Sequence, residues 1–287
     1  MRLARYELDG VRGVAFDVGG GPLFGLSEQD AGFPGEIDDL LSEGPEALRW
    51  AAAACAKGQP LELTRAHLLP PLGRPGKILC IGLNYADHSA EAGLAAPDYP
   101  VVFGRFCSSL IGHGAPIERS RLSDKLDYEG EFVAVIGKAG KHIAPGDALN
   151  HVIGYSLFND VSVRDYQMRT PQWTIGKNFD HSGPFGPYIT TADELPLGCK
   201  GLRLQTRLNG QVVQDTNTDK LIFDVAALVS ILSAAFRLEP GDMIVTGTAA
   251  GVGAARTPPL WMKPGDIVEV EMEGFGVLRN EVRDETP

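Results

Sequence analysis

The chain has few cysteines, and they are not spaced as zinc ligands or as a disulfide framework. Its 287 residues include four cysteines and no CxxC pair, a pattern typical of reduced thiols in a cytosol. No run approaches the roughly 18 apolar residues that a membrane span needs, and the N-terminal "MRLARYELDG" has no apolar core of a signal peptide. We therefore expect a cytoplasmic protein with no membrane segment.

Positive charge is also scarce. Lys and Arg number 26 against 37 Asp and Glu, so the net charge is -11, which disfavours nucleic acid and anionic membranes as partners. Common catalytic signatures are missing too: the sequence has no GxSxG, no HExxH and no Walker A loop. An enzyme of this composition that acts on small anionic substrates needs local cations, either side chains or a metal.

The chain divides by composition near residue 70. Residues 1–70 combine two short strand-like pieces with a helical stretch and carry no clustered polar chemistry, and the proline-rich "LLPPLGRPGK" at 68–77 follows. Residues 71–287 are rich in strand patterns separated by Gly, Pro and Asn turns, and the clearest helix is "FDVAALVSILSAAF" at 223–236. We predict a small N-terminal α+β domain, 1–70, and a β-dominated α+β catalytic domain, 71–287.

Two carboxylates occupy one face of a strand that is otherwise apolar. In "DYEGEFVAV", 127–135, Glu129 and Glu131 share a face with Val133. Both faces continue as apolar residues, so we expect the strand to be covered on both sides. The strand "DIVEVEMEG", 266–274, differs because its glutamates alternate with apolar residues and need only a solvated face. The alternative for Glu129 and Glu131, a strand end that emerges into solvent, is the less favoured interpretation because their own face continues as apolar residues.

The pair of glutamates predicts a metal site. Their backbones lie about 7 Å apart, at twice the strand rise, and two desolvated like charges repel unless a cation lies between them. With no Cys or His beside them, oxygen ligands suit Mg²⁺, Mn²⁺ or Ca²⁺. The best candidate for a third ligand is Asp160, at the end of the apolar strand in "HVIGYSLFND".

Other polar groups could act on a substrate at such a site. His88 and Glu91, three apart on a short helix capped by Asp87, could form a general-base pair, although such pairs are also common on surface helices. Lys177 lies in a stretch too rich in Gly and Pro for a helix and could stabilise an enolate, and Gln167 could donate a hydrogen bond. Thr248 and the amides of "VTGTAAGVG" could bind an oxyanion, whereas the glycine spacing does not fit a dinucleotide-binding fingerprint.

Together these residues resemble the fumarylacetoacetate hydrolase family. The pattern runs through "IGLNYADHSAE", "SSLIG", "LDYEGEFVAVIG", "GYSLFNDVSVRDYQ", "GKNFDHSGPFGP", "TGT" and "KPGDIVEVEMEGFGVLRN", with order kept over about residues 75–283. The resemblance implies a mixed β-roll around a metal site, a small N-terminal domain and a homodimer.

The resemblance also implies roles at the matching positions. Glu129, Glu131 and Asp160 are the expected ligands of Mg²⁺ or Mn²⁺. His88 and Glu91 resemble the dyad of a lid helix, Lys177 is the third catalytic residue, and Gln167 and Thr248 are substrate contacts. Arg105, where the family often has lysine, and Trp173 are expected to meet the rest of the substrate. Ala249 also departs from the family, which often has proline there.

The expected reaction is metal-dependent hydrolysis of a carbon–carbon bond in a 2,4-dioxo acid, such as an acylpyruvate or a diketo-deoxy sugar acid. Water activated by His88 would attack the distal carbonyl, releasing a short acid and pyruvate or a related 2-oxo acid. The alternatives use the same metal–enolate chemistry: an oxaloacetate-type decarboxylase, or an isomerase of hydroxymuconate- or hydroxyheptadienedioate-type diacids. A metal-binding protein without catalysis is a further alternative, and the complete set of polar residues argues against it.

Overall fold

The computed structural model describes residues 1–17, 19–91, 95 and 97–286, without the side chains of residues 88–90. In this part the α-helices are α1 (Ile37–Glu43), α2 (Pro45–Cys55), α3 (Ala86–Glu91), α4 (Arg164–Gln167), α5 (Thr174–Lys177) and α6 (Val225–Ala235). The strands are β1 (Arg2–Leu8), β2 (Val11–Asp17), β3 (Phe24–Ser27), β4 (Gln59–Pro60), β5 (His67–Leu69), β6 (Ile78–Gly82), β7 (Val101–Gly104), β8 (Leu110–Ile111), β9 (Ile117–Arg119), β10 (Leu126–Asp127), β11 (Gly130–Ile136), β12 (Val152–Asn159), β13 (Ser162–Val163), β14 (Gly183–Thr191), β15 (Arg203–Leu208), β16 (Gln211–Asn217), β17 (Met243–Val245), β18 (Ile267–Met272) and β19 (Gly276–Asp284). The chain is strand-dominated α+β, as the sequence predicts. No described helix is both long and apolar enough to cross a membrane.

Two large mixed sheets form the body of the molecule. Among the described residues, the larger sheet has the order β4-β3-β2-β1-β14-β12-β11-β17-β6-β7, with β5 on β1 and β8 on β14. The second sheet has the order β16-β15-β18-β19-β9, and β10 and β13 pair separately. The N-terminal strands join the catalytic strands in one sheet because β1 pairs with β14, Arg2 opposite Thr190. The domain boundary near residue 70 stays a prediction.

Strand β11 is covered on both faces, as its apolar pattern predicts. Every residue of β11 is buried. Phe132 and Ala134 pack into a core with the second sheet and α6, while Val133 and Val135 pack into a core with α1 and α2. By contrast, β18 alternates buried and half-buried residues. The carboxylates at the start of β11 therefore enter a protein interior and not a solvated face.

Strand pairing brings four connecting segments to one end of the larger sheet. Antiparallel β12 pairs with β11, with Asn159 opposite Gly130, so Asp160 follows beside Glu129. Antiparallel β17 pairs with the other edge of β11, so the loop after Val245 passes Glu131. Parallel β6 lies beside β17 and delivers α3 to the same end. The polar segments of the sequence thus converge although they are far apart along the chain.

Candidate metal centre and active-site pocket

Three carboxylates converge where β11, β12 and β17 meet. One oxygen from each of Glu129, Glu131 and Asp160 lies within 4.8 Å of the others, and all three residues are buried. The Asp160 amide donates to the Glu129 carbonyl at 2.8 Å, and the Glu129 amide donates to the Asn159 side chain at 2.9 Å. These bonds fix the spacing of the carboxylates through the backbone. The predicted acidic triad is present and could hold a divalent metal ion.

Lys177 and Arg105 neutralise part of this charge. Lys177 Nζ lies 2.7 Å from Glu129 Oε2 and 2.6 Å from Asp160 Oδ2. Burial alone lowers the pKa of Lys177, but the carboxylates of Asp160 and Glu129 outweigh it, so the pKa is raised and the ammonium is retained. Arg105 bonds Asp160 Oδ1 from the other side and also donates to the Ser182 hydroxyl at 2.8 Å.

Glu131 is the carboxylate with the weakest compensation. Among the side chains that the structure describes, it has no ion-pair partner, and it accepts a hydrogen bond from the Gly247 amide. Burial, followed by the charges of Asp160 and Glu129, raises its pKa well above the usual range of a glutamate. A divalent cation among the three carboxylates would remove this penalty. The donor set, oxygen only and buried, fits a hard cation such as Mg²⁺ or Mn²⁺.

Asp127 and Arg164 extend the site, and sequence reasoning missed both. Arg164 bonds Asp127 Oδ2 through Nε at 2.7 Å and Glu129 Oε1 through Nη1 at 2.7 Å. Its Nη1 also donates to Gln167 Oε1 at 2.9 Å, while Nη2 is buried without a hydrogen-bond partner in the described part of the chain. Arg164 therefore keeps a donor for a ligand oxygen. The available signal was a third acid, Asp127, on the face of Glu129 and Glu131.

The glycine-rich loop after β17 binds carboxylates of the protein. Asp127 Oδ1 accepts from the Gly253 amide at 2.7 Å, and Asp127 Oδ2 accepts from the Ala254 amide at 2.9 Å. Thr248 is buried; its hydroxyl donates to the Gly130 carbonyl at 3.0 Å and accepts from Gln214 at 2.8 Å. The loop is thus fastened to both ends of the segment 127–131.

The short helix α3 lies against the same loop. Both carboxylate oxygens of Glu91 lie 3.0 Å from the Gly251 amide. The helix begins at Ala86, so Asp87 lies inside its first turn and does not cap it as predicted. His88 belongs to α3, but its side chain lies outside the described part of the structure. The His88–Glu91 dyad stays a prediction.

A pocket of about 440 Å³ opens onto the triad. Of the predicted residues, the pocket wall contains Glu91, Glu129, Glu131, Gln167, Trp173, Lys177 and Thr248. Lys177 is the last residue of the one-turn helix α5, so the prediction of an irregular loop there is wrong. The Asn178 side chain stabilises this turn by donating to the Thr174 carbonyl at 2.8 Å. Arg105 does not belong to the described pocket wall and instead lies behind Asp160, with its guanidinium over the Phe158 ring.

Comparisons with known proteins agree with this architecture. The model of the fumarylacetoacetate hydrolase C-terminal family matches residues 77–283. The mitochondrial oxaloacetate tautomerase fahd2 of Xenopus laevis is 39% identical over 267 residues, which cover 92% of this chain and 83% of that protein.

Solved structures match over the whole fold. A fumarylacetoacetate hydrolase from Exiguobacterium antarcticum is 34% identical with a TM-score of 0.86, covering 99% of this chain and all of that one (100%). A 5-carboxymethyl-2-hydroxymuconate delta-isomerase from Mycobacterium smegmatis is 32% identical with a TM-score of 0.77, covering 100% of both chains.

The expected cytoplasmic location is contradicted. The matching oxaloacetate tautomerases of Xenopus laevis, rat and human are all named as mitochondrial. Unpaired cysteines indicate a reducing environment, and that signal does not separate one reducing compartment from another. Composition therefore gave too narrow an answer.

Proposed function

The chain belongs to the fumarylacetoacetate hydrolase family, and from that premise we propose that it catalyses keto–enol tautomerisation of a 2-oxo diacid of the oxaloacetate type. The observation that carries the proposal is a buried triad of carboxylates, joined by Lys177 and Arg164, in a chain that aligns over 92% of its length with an oxaloacetate tautomerase. Its membership makes it an enzyme of this family, and the reaction type is the proposed part.

The proposed cofactor is Mg²⁺ or Mn²⁺ held by Glu129, Glu131 and Asp160. When bound, such an ion would polarise the 2-oxo group and favour the enolate. Arg105 positions Asp160 from behind, since both groups are fully buried and ion-paired. Ligand orientation by such outer contacts is a common feature of metal sites.

The chain's own donors would surround the developing negative charge. Lys177 holds its proton next to the triad, and Arg164 has the buried Nη2 free of protein hydrogen bonds among the described residues. Gln167 accepts from Arg164, so its amide nitrogen can turn to the substrate. Thr248 lines the same pocket. Such preorganised donors stabilise an oxyanion without the reorganisation that water would need.

Tautomerisation needs one proton removed from C3 and one proton delivered to the C2 oxygen. We assign the C3 proton to His88, with Glu91 on the same helix, and the oxygen proton to the Lys177 side of the pocket. No water is consumed and no bond between carbons is broken. The matching oxaloacetate tautomerases favour this reaction over the carbon–carbon hydrolysis expected from the sequence.

Isomerisation of a hydroxymuconate-type diacid is a second candidate. It is favoured by the whole-length match to the 5-carboxymethyl-2-hydroxymuconate delta-isomerase. The same groups would serve, because that reaction also moves a proton through an enolate of a 2-oxo acid. The two candidates differ in the length of the substrate and not in the chemistry of the triad.

Proton NMR in D₂O tests the reaction. With Mg²⁺ and oxaloacetate, we expect faster keto–enol exchange and deuterium entry at C3, with no gain in pyruvate. Parallel samples would contain an acylpyruvate and a hydroxymuconate-type diacid. Pyruvate that forms as fast as the enol disappears would identify a decarboxylase, and cleavage of the acylpyruvate without exchange in oxaloacetate would restore the hydrolase.

A further inference from the structure

We propose that the pocket contains an apolar subsite for a ring-sized group on C3 of the substrate, so that the enzyme also tautomerises arylpyruvates. The subsite, named here the aromatic wall, consists of Phe103, Trp173 and Met168, which line the pocket with the triad. The inference rests on the proposed function, because it places the 2-oxo acid head at the triad and asks what the rest of the pocket holds.

The aromatic wall begins directly beside the triad. Lys177 Nζ, which bonds Glu129 and Asp160, lies 5.1 Å from the centre of the Phe103 ring. Phe103 in turn meets Trp173 edge to face, with ring centres 5.5 Å apart and planes at 66°. A group attached next to a bound 2-oxo unit therefore reaches these rings. Edge-to-face pairs of this kind leave ring surface for a third aromatic group.

The Trp173 ring of the aromatic wall is held in place by close packing against Gly82. A Cβ atom on Gly82 would lie 2.3 Å from Cζ3 of Trp173, so the ring occupies space that only a glycine at the end of β6 leaves open. Met168, at the mouth, is 72% exposed. Its flexible thioether can close over substituents of different shapes. One side of the subsite is thus rigid and the other adaptable.

The three residues of the aromatic wall carry no charge, so a substituent that lies against them, beyond the reach of the cations beside the triad, is better uncharged. In the described pocket wall the cations are Arg164 and Lys177, and both pair with Glu129 beside the triad. The remaining charged group of that wall, away from the triad, is the Glu91 carboxylate. The other apolar side chains of the described pocket wall are Ile81, Leu83, Val252, Ala254 and Ala255.

The pocket is large enough to hold a 2-oxo acid head at the triad and a ring at the aromatic wall. Its volume of about 440 Å³ lies in the range of sites that hold drug-sized ligands, and a four-carbon diacid leaves much of it empty. An arylpyruvate would offer the same carboxylate and 2-oxo oxygens to a metal ion held by the triad and to the donors of Lys177 and Arg164. The reaction is balanced as before: one proton leaves C3, one proton joins the C2 oxygen, and no oxidant or second substrate is needed.

Phenylpyruvate is the test substrate, because its conjugated enol absorbs in the near ultraviolet. The Mg²⁺-loaded protein should accelerate its keto–enol conversion, and the ratio of kcat/KM for phenylpyruvate to that for oxaloacetate should fall about ten-fold in Trp173→Ala. Met168→Glu, at an exposed position where folding is not at risk, should lower the same ratio. Trp50→Leu, which removes an exposed tryptophan in α2, is the matched control and should leave the ratio unchanged.

The possible results separate this inference from the proposed function. Turnover of oxaloacetate without turnover of phenylpyruvate, or equal effects of Trp173→Ala on both, would overturn the aromatic subsite and leave the tautomerase in place. If neither substrate turns over, the proposed function fails, and the aromatic subsite is then tested by the binding of phenylpyruvate. Saturable quenching of tryptophan fluorescence by phenylpyruvate, kept in Trp50→Leu and lost in Trp173→Ala, would support the subsite, and its absence would reject it.

Discussion

At the scale of single residues, the site is defined by an excess of buried negative charge. Among the described residues, four carboxylates face three cations: Asp127, Glu129, Glu131 and Asp160 against Arg105, Arg164 and Lys177. An uncompensated buried charge is strongly destabilising. The excess falls on Glu131, which receives only the Gly247 amide among the described partners. A divalent cation is the simplest group that removes it.

Replacing Glu131 with Gln tests this assignment. The variant keeps the shape of the side chain and loses one anionic ligand, so we expect Mg²⁺ affinity to fall about 100-fold or more by calorimetric titration. Glu273→Gln, at an exposed position directly after β18, is the control and should bind Mg²⁺ like the wild type. Equal affinity in Glu131→Gln and the control would show that the ion lies elsewhere.

Removal of the metal should make stability depend on pH in a defined direction. The pKa of Glu131 is raised by burial and by Asp160 and Glu129, so the folded state binds its proton more tightly than the unfolded state. Between the ordinary value of 4.5 and the raised value, metal-free protein therefore loses stability as pH rises. We expect Mg²⁺ to abolish this loss.

The measurement is the melting temperature of the protein in EDTA across that pH range. The difference between Glu131→Gln and the wild type should grow by about a few degrees toward neutral pH, because the variant has no charge to bury. A constant difference across the range would contradict the assignment. Comparing the two chains cancels the titration of the other carboxylates.

We propose that Asp127 acts through Arg164. Its carboxylate holds Arg164 Nε at 2.7 Å and also the Gly253 and Ala254 amides. We expect Asp127→Asn to lower kcat about 10- to 100-fold, with a smaller change in KM, because the guanidinium loses its orientation toward the oxyanion. Asp215→Asn, which loosens an exposed pair with Arg203, is the control. A fall in thermal stability with kcat unchanged would assign Asp127 to folding alone.

At the scale of elements, the contact of α3 with the glycine-rich loop can be tested by measuring kcat in Glu91 variants. Glu91 accepts from the Gly251 amide, and a glutamine can keep that acceptor, whereas alanine cannot. If docking is the role, Glu91→Gln should retain kcat within about three-fold while Glu91→Ala loses about ten-fold or more. Equal losses in both variants would instead favour the charged dyad with His88.

The same scale shows what local sequence can predict. The apolar residues on both faces of "DYEGEFVAV" correctly predict a doubly covered strand, since two apolar faces require two cores. Asp224, directly before the apolar run of the predicted helix, caps α6: its side chain accepts from the Ala227 amide at 2.9 Å. These features depend on residues within one turn or one strand.

The missed features depend on pairing across the chain. Arg164 meets Asp127 over 37 residues, and Glu91 meets Gly251 over 160. Nothing in either short segment indicates its partner, because the partner is brought near only when β12 and β17 flank β11. The ion pair of Arg105 with Asp160 could not be predicted for the same reason: the sheet, and not the sequence neighbours of Arg105, brings the two side chains together.

At the scale of the whole molecule, residues 1–70 complete the burial of strand β11. Helices α1 and α2 contribute Leu40, Leu41 and Leu48 to the core that contains Val133 and Val135 of β11. The face of β11 that packs against residues 1–70 therefore also has an apolar environment. The small N-terminal region supports the site without supplying a residue to the described pocket wall.

An apolar patch beside the pocket leads to our last prediction, a homodimer. Phe106 is 57% exposed and Ile175 is 64% exposed, and Asn178 joins them by accepting from the Phe106 amide at 2.6 Å and donating to the Ile175 carbonyl at 3.3 Å. Exposed apolar groups that lie together indicate an interface, and Ile175 shares α5 with Lys177. We propose that this patch meets its copy across a two-fold axis.

Light scattering after size exclusion should give twice the 30.7 kDa of one chain for the wild type. Phe106→Glu should give a monomer, because an unpaired charge in an apolar interface costs several kcal/mol. Leu122→Glu, at a position 67% exposed, is the matched control and should remain a dimer. A wild-type monomer would reject the homodimer, and a dimeric Phe106→Glu would move the interface to another surface. Since α5 ends at Lys177, a lowered kcat in the monomeric variant would also support a role of the partner in steadying the helix that carries the Lys177 ammonium.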